Sequence, residues 1–287
     1  MRLLVAADLH CDNARSRDGA LELIERINRE SFDVLLVVGD VGNGDDDTLE
    51  RSLQRFTFDG PKLFVPGNHE LWTRRGDSLR LHDDELPRRV RAVGWHWLPG
   101  APFARGCVAV VGNLGWYDYA FAAEYLGVPK RFYAAKISPG AARATRSHPE
   151  LFEDASDIPD SAINVVARWN DGRFVKLPMP DAEFCERLLD QLHADLDAVT
   201  SARQVVAAVH HVPFRELLPP LRVPTWDFAH AYLGSPRFGQ LALSRSNVTH
   251  VVCGHSHLPA EAFIDGIHAI NIGSGYREKR HRVLLLG

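Results

Sequence analysis

Short runs of apolar residues recur along the chain, and each ends abruptly in polar residues. Continuous runs of this length, rich in valine and leucine, are typical of β-strands buried on both faces. We predict strands at residues 3–7, 34–38, 62–65, 107–112, 205–209 and 248–253. Shorter runs at 261–264, 267–270 and 283–286, the first two joined by Asp265-Gly266, predict an antiparallel hairpin and a closing strand.

Two stretches instead carry apolar residues at helical spacing, residues 18–30 and 181–199. Strands that alternate with helices favour an α/β fold, with largely parallel pairing near the N-terminus. Residues 116–180 show neither pattern and are rich in Ala, Pro, Trp and Tyr. We interpret them as an insertion or a lid over the end of the sheet. Within them, Trp116-Tyr117-Asp118-Tyr119 is either a wall for stacking substrate or the core of the insertion.

The polar residues that follow the apolar runs are of the types that bind metal ions. Functional groups of open α/β sheets gather beyond the carboxyl ends of the strands, so these side chains are expected to converge. Residues two apart in extended chain project to the same side, which gives the pairs Asp8/His10 and His255/His257 a common target. Gly39, Gly67 and Gly254 each precede one group of these polar residues, and glycine permits the tight turns that this requires. The candidates are Asp8, His10, Asp40, Asn68, His69, His210, His211, His255 and His257.

Oxygen and imidazole ligands without thiolate suit Mn²⁺, Fe or Zn²⁺. There are more candidates than one ion needs, whereas two ions roughly 3.5–4 Å apart, bridged by a carboxylate, would use them all. Asp40, isolated between two glycine-containing turns, is the natural bridge. We therefore expect two divalent metal ions per chain, with Mn²⁺ favoured and Fe or Zn²⁺ as alternatives.

The order of these motifs resembles the five-block pattern of the calcineurin-like metallophosphoesterases. The blocks are Asp8-x-His10, Gly39-Asp40, Gly67-Asn68-His69-Glu70, His210 and Gly254-His255-x-His257. Residues 271–274, Asn-Ile-Gly-Ser, resemble a segment that often follows the last block. The resemblance implies a four-layer αββα sandwich of two mixed sheets with flanking helices. It also implies a single domain over residues 1–287, with a dinuclear metal centre at one rim.

The resemblance also implies a role for each residue. The first metal would be held by Asp8, His10, Asp40 and His257. The second would be held by Asp40, Asn68, His210 and His255. His69 would be the catalytic imidazole, free of metal. Adjacent residues at a strand end point to opposite sides, so only one of His210 and His211 is expected to bind, and the family pattern favours His210.

The expected activity is hydrolysis of a small phosphomonoester or phosphodiester, cyclic nucleotides included. Two cations would lower the pKa of a bridging water to give hydroxide and would neutralise charge on the phosphoryl oxygens. His69 would assist the leaving oxygen. The alternatives are a metal-dependent nuclease and a non-catalytic metal-binding scaffold of the same fold. A scaffold normally loses ligands or the free His, and this chain retains them all.

The composition of the chain indicates which kinds of partner and which location to expect. The chain has 287 residues, 45% of them hydrophobic and 24% charged, with a formal net charge of −4, which does not favour nucleic-acid binding. No apolar run is long enough for a membrane span or a signal peptide. Four scattered cysteines favour a reduced, cytoplasmic protein. The charged run at 277–282 is interpreted as a solvated loop, with phosphate contact as the alternative. No feature favours a particular oligomeric state.

Overall fold

The computed structural model describes residues 1–287 and contains two mixed β-sheets. In the first sheet the strand order is β11-β1-β2-β3-β4, and in the second it is β5-β6-β7-β8-β10-β9. The strands are β1 Arg2–Ala6, β2 Val34–Val38, β3 Lys62–Val65, β4 His96–Trp97, β5 Phe103–Arg105, β6 Val108–Asn113, β7 Gln204–Val209, β8 Val248–Cys253, β9 Ala260–Ile264, β10 Ile267–Asn271 and β11 His281–Leu285.

Helices and short turns connect the strands. The α-helices are α1 Arg17–Ile27, α2 Thr48–Leu53, α3 Ser78–Arg80, α4 Leu86–Ala92, α5 Lys130–Ala134, α6 Pro139–Thr145, α7 Asp160–Ile163, α8 Asp171–Phe174, α9 Asp181–Ala198, α10 Pro224–Asp227 and α11 Pro236–Leu243. A π-helical turn covers Leu81–Glu85. Single 3₁₀ turns lie at His69–Leu71, Glu124–Leu126, Pro149–Phe152, Arg215–Leu217 and Phe228–Tyr232.

Strand pairing follows the predicted pattern. β1, β2, β3 and β4 are mutually parallel, and β6, β7, β8 and β10 form a second parallel set. Three strands run antiparallel to their neighbours: β9 in the hairpin with β10, β5 beside β6, and β11 beside β1. The parallel core and the C-terminal hairpin are therefore confirmed, and β11 closes the first sheet beside the N-terminal strand.

Alternate residues of the strands form two separate apolar layers. Leu3, Val5 and Leu36 of the first sheet pack with Val110 and Val206 of the second, in a fully buried core between the sheets. The intervening residues face outward and join a larger core with the helices, including the apolar faces of α1 and α9. Burying one such side chain stabilises the fold by about 1.5–3 kcal/mol. The expected αββα sandwich is confirmed.

The sequence pattern missed two strands. β4 has two residues and β5 has three, and β5 lies on an edge with mostly exposed side chains. Elements this short carry no periodicity, and an edge strand with one solvated side need not be apolar. No helix combines the length and hydropathy that a bilayer-spanning segment requires.

Residues 116–180 contain short helices, turns and one isolated β-bridge between Ile137 and Arg168, with a small apolar cluster of their own around Phe132. Trp116 and Tyr117 are fully buried and belong to the larger core. The structure therefore supports packing and not a substrate wall for these two residues, but in the main core instead of a separate core of the insertion.

Candidate metal centre

Six of the seven predicted ligands converge in two groups at the ends of the parallel strands. In the first group, donor atoms of Asp8, His10, Asp40 and His257 all lie within 4.8 Å of one another. In the second, those of Asp40, His210 and His255 do the same. Asp40 alone belongs to both groups, which is the arrangement that a bridging carboxylate requires.

The two oxygens of Asp40 face different groups. Oδ2 lies 3.7 Å from His10 Nε2, and Oδ1 lies 3.4 Å from His210 Nε2. His10 Nε2 is also 2.9 Å from His257 Nε2. Two nitrogens about 2.1 Å from one ion, at a right angle, would be about 3 Å apart. The geometry therefore fits ligands that share an ion.

Five of the predicted ligands have left-handed backbone conformations. The φ angles are 55° at Asp8, 47° at His10, 57° at Asp40, 67° at His255 and 59° at His257. This conformation costs a non-glycine residue about 1–2 kcal/mol, and such strain concentrates at functional sites. It also corrects the expectation for the Asp8/His10 and His255/His257 pairs. They lie beyond the ends of β1 and β8 and converge through turns, not through the alternation of an extended strand.

Several atoms of the predicted ligands are buried without a hydrogen-bond partner: Asp8 Oδ2, Asn68 Oδ1, His210 Nε2 and His255 Nδ1. Buried polar atoms are normally hydrogen-bonded, so this set needs an explanation. The other ring nitrogens of these histidines are held by carbonyl groups, His210 Nδ1 by Val38 at 2.9 Å and His255 Nε2 by Tyr232 at 3.2 Å. Such contacts orient an imidazole toward a metal, so the residues fit a bound cation.

Burial keeps several imidazoles neutral, which is the form that binds metal. Desolvation lowers the pKa of His10 and His255 well below the usual value and that of His257 to about 4. His210 behaves differently. Burial acts to lower its pKa, but the adjacent Asp40 carboxylate overcomes this and raises the pKa to about 9. A metal ion at this position would displace the proton.

His211 belongs to neither group of converging donor atoms, although its ring centroid lies 4.2 Å from that of His255. Its ring is nearly perpendicular to that of His210, at 89°, and packs against Trp116 and Tyr117. Nδ1 lies 3.2 Å from the Leu114 carbonyl oxygen. Burial lowers the pKa of His211 to about 3, so the ring stays neutral. This geometry favours His210 as the ligand.

His69 lies at the accessible side of the centre. Its ring stacks on Trp72 at 3.6 Å, and Nε2 is 3.9 Å from Asp40 Oδ2. A third, more exposed set of donor atoms, from His10, Asp12 and His69, also lies within 4.8 Å of one another. His69 can therefore reach either a substrate or the margin of the metal centre.

A sequence profile described as calcineurin-like phosphoesterase matches residues 1–259 of the chain. The chain belongs to this family. It is 26% identical over 266 residues to the acyl-carrier-protein phosphodiesterase PptH of Mycobacterium tuberculosis, an alignment that covers 87% of this chain and 71% of PptH.

Two solved structures are similar over nearly the whole chain. The crystal structure of phosphopantetheinyl hydrolase PptH from M. tuberculosis has a TM-score of 0.70 at 23% identity, covering 96% of this chain and 89% of that one. A dimetal phosphatase from Danio rerio has a TM-score of 0.51 at 15% identity, covering 97% and 88%. Together with the clustered His and Asp residues, family membership makes this calcineurin-like phosphoesterase a metal-dependent hydrolase of phosphoesters.

Glu70 holds two ligand turns of the phosphoesterase together, a role that the motif did not reveal. Its buried carboxylate accepts backbone N–H bonds from Asp40, Val41, Gly42 and Gly67 at 2.6–3.0 Å. Burial, with a further contribution from Asp40, raises the pKa of Glu70 to about 7. The turns that carry Asp40 and Asn68 are thus fixed relative to each other.

Two glycines allow this close approach. A Cβ on Gly67 would lie 2.2 Å from Asp40 Oδ1, and one on Gly39 would lie 2.4 Å from His210 Nδ1. Gly39 also has a φ of 75°, which side chains disfavour. Both positions therefore require glycine.

Lys279 corrects the interpretation of residues 277–282 as a solvated loop. The side chain is buried, and its Nζ donates a hydrogen bond to the Asp8 carbonyl oxygen. Burial lowers the pKa of Lys279 to about 8. Nearby, the ring of Tyr276 lies 5.1 Å from that of His10 and 4.9 Å from that of His257. No pattern in a single sequence distinguishes such a buried lysine from its solvated neighbours.

Proposed function

We propose that this phosphoesterase cleaves phosphodiesters at a centre of two Mn²⁺ ions. When bound, the ions would polarise the phosphoryl oxygens and activate water for in-line attack. Mn²⁺ is favoured over softer metals because every donor is a carboxylate, amide or imidazole. The proposed ligands are Asp8, His10, Asp40 and His257 for one ion, and Asp40, Asn68, His210 and His255 for the other.

The protein's own residues would position the reaction. Asp40 directs one oxygen to each group, which sets the separation of the two sites. The imidazole of His69, stacked on Trp72 beside Asp40, would donate a proton to the leaving oxygen. Water supplies the new oxygen on phosphorus, and the alcohol leaves with the proton.

The observation that favours a diester is a cleft of about 590 Å³ lined by Trp72, on which the His69 ring stacks. Trp72 and Phe174 stack along one wall, and Arg74 and Arg75 lie beside them. Neither arginine forms an ion pair with a carboxylate of the chain. Asp12, Asp45 and Asp46 also line the cleft, so its charge is mixed. The size of the cleft and its aromatic wall, next to the leaving-group imidazole, suit a substrate with a large leaving group.

The similarity to the mycobacterial phosphodiesterase suggests which diester this is. We propose an acyl carrier protein that bears a phosphopantetheinyl group, cleaved to the free carrier protein and phosphopantetheine. The four cysteines are unpaired, which is compatible with the reducing cytoplasm that we propose as the site of action.

The test is incubation of a purified phosphopantetheinylated carrier protein with the Mn²⁺-loaded enzyme, followed by intact-mass analysis. We expect loss of the phosphopantetheine mass, and no loss with Asp40→Asn. If bis(p-nitrophenyl) phosphate is hydrolysed and the carrier protein is not, the substrate class is wrong. Cleavage of single-stranded DNA in preference to both would support the nuclease alternative. Metal binding without hydrolysis of any ester would support the scaffold.

A further inference from the structure

Asp171 is a fully buried carboxylate in the 116–180 segment, close to the proposed metal ligands. Its Oδ1 accepts hydrogen bonds from Asn68 Nδ2 at 2.9 Å and Trp72 Nε1 at 2.7 Å. Its Oδ2 accepts from Trp169 Nε1 at 2.7 Å and Tyr117 OH at 3.1 Å. One carboxylate therefore joins the insertion to the turn that carries both Asn68 and His69.

All four donors to Asp171 are uncharged. Taking a carboxylate out of water without a cationic partner is costly, and four good hydrogen bonds only partly compensate. An apolar residue at this position would leave the four donors unpaired, so Asp171 stabilises the insertion. One of the four donors, Asn68, is also a proposed metal ligand, and this contact points to a second role.

The contact with Asn68 supplies that role. The Asn68 amide turns its NH₂ group toward Asp171, whose Oδ1 accepts the hydrogen bond. Its other end, Oδ1, is then directed away, and this is one of the buried atoms that lacks a partner. A hydrogen bond to the NH₂ group also makes the amide oxygen a better metal ligand.

We propose that Asp171 is a positioning residue, which fixes the Asn68 amide with its oxygen directed at the second metal ion. The 116–180 segment thereby helps to assemble the metal centre, in addition to covering the end of the sheet. The inference rests on the proposed function, because it takes Asn68 to be a metal ligand.

Asp181, the first residue of α9, offers a matched control. This buried carboxylate also accepts from an indole and a phenol, Trp116 Nε1 at 2.9 Å and the hydroxyl of Tyr119. It pairs with Lys136 and bonds to none of the proposed ligands. Loss of Asp181 therefore removes a buried carboxylate that binds an indole and a phenol, as Asp171 does, without touching Asn68.

The experiment is a calorimetric titration of the chelator-stripped full chain with Mn²⁺. It compares the wild type with four variants: Asp171→Ala, Asp181→Ala, Asn68→Ala and the Asp171→Ala/Asn68→Ala double variant. Thermal unfolding of each stripped chain verifies folding, and Asp171→Asn replaces Asp171→Ala if the latter does not fold. We expect Asp171→Ala to weaken one of the two sites about 10–100-fold. Asp181→Ala should leave both affinities near wild type, and the double variant should bind like Asn68→Ala.

Three results would overturn the proposal. One is a folded Asp171 variant with unchanged affinity for both ions. Another is a loss of Mn²⁺ affinity on Asp171→Ala that is as large in the Asn68→Ala background as in the wild type. Asp171 would then act by a route that does not involve Asn68. The third is a loss of Mn²⁺ affinity in Asp181→Ala that matches the loss in Asp171→Ala. If Asn68→Ala itself binds both ions normally, the ligand assignment fails as well, whereas failure to cleave a carrier protein leaves the metal titrations unaffected.

Discussion

The backbone N–H of Asp40 donates a 2.9 Å hydrogen bond to the carboxylate of Glu70, although the two residues follow different strands. The same carboxylate oxygen accepts from Gly67 at 2.6 Å. The proposed bridging carboxylate is therefore held by an acid that belongs to neither group of converging donor atoms. A second link joins the same two turns, since the His69 backbone N–H donates a 3.0 Å hydrogen bond to Asp40 Oδ1.

Glu70→Gln tests this link. A glutamine places an NH₂ group against backbone N–H donors, so about half of the four hydrogen bonds are lost and the donors are left unpaired. We expect the free energy of unfolding to fall by about 2–4 kcal/mol. We also expect Mn²⁺ affinity to fall in the variant molecules that remain folded, as measured by denaturant titration and calorimetry. Unchanged metal affinity would show that Glu70 serves stability alone.

His210 and His211 should differ in their effect on metal content. His210→Ala removes a donor that faces Asp40, so we expect it to lose one of two ions. His211→Ala removes a ring that packs in the core, so both ions should remain, with a loss of stability of about 1–3 kcal/mol. Metal analysis of the two purified variants shows which of the two histidines binds an ion. The reverse pattern would make His211 the ligand.

His69→Ala should separate proton transfer from metal binding. We expect both ions to remain and kcat to fall by about two to four orders of magnitude for an alkyl ester with a poor leaving group. For bis(p-nitrophenyl) phosphate the loss should be smaller, because that leaving oxygen needs little protonation. The measurement is kcat across leaving groups of graded pKa. An equal loss across the series would refute the acid role, and loss of metal would make His69 a ligand.

Asp195 should make the stability of the fold depend on pH. Burial raises its pKa from 3.8 to about 6, and the Gly100 N–H is its one hydrogen-bond donor. The folded chain therefore holds a proton that the unfolded chain has lost, and the free energy of unfolding falls as the pH rises through this window. Asparagine carries no charge and still accepts from Gly100. We expect Asp195→Asn to gain about 1–2 kcal/mol at pH 8, allowing for solvent screening, and little at about pH 4.

The matched control is Asp190→Asn, an exposed position on the same helix. Denaturant unfolding at several pH values should show no pH-dependent gain for it. A gain at Asp195 that is independent of pH would mean that helix propensity or packing, and not the buried charge, limits stability at this position.

The parts of this phosphoesterase that could be predicted from sequence are those in which one local pattern carries the information. The buried runs after which Asp8, Asp40 and His255 follow predicted both the parallel strands and the rim where ligands meet. Glu70 stands inside a recognised motif, yet its role depends on turns that lie together only in the folded chain. The same is true of Lys279, which is buried under Asp8 from 271 residues away.

The structure of the 116–180 segment could not be predicted from the sequence for a different reason. Its helices are four to seven residues long, too short to show an amphipathic period, and aromatic contacts with distant elements hold it in place. Asp171 is one of many acids in the sequence, and nothing adjacent to it marks its contact with Asn68. Long-range pairing of this kind requires the structure.

The most direct test of the dinuclear centre is activity measured as a function of Mn²⁺ added to the stripped enzyme. With Asp40 shared between the two groups, we predict two ions per chain at saturation and turnover that rises as the second ion binds. Asp40→Asn should weaken both sites. Full activity with one tightly bound ion per chain, and no change when a second is added, would contradict the account.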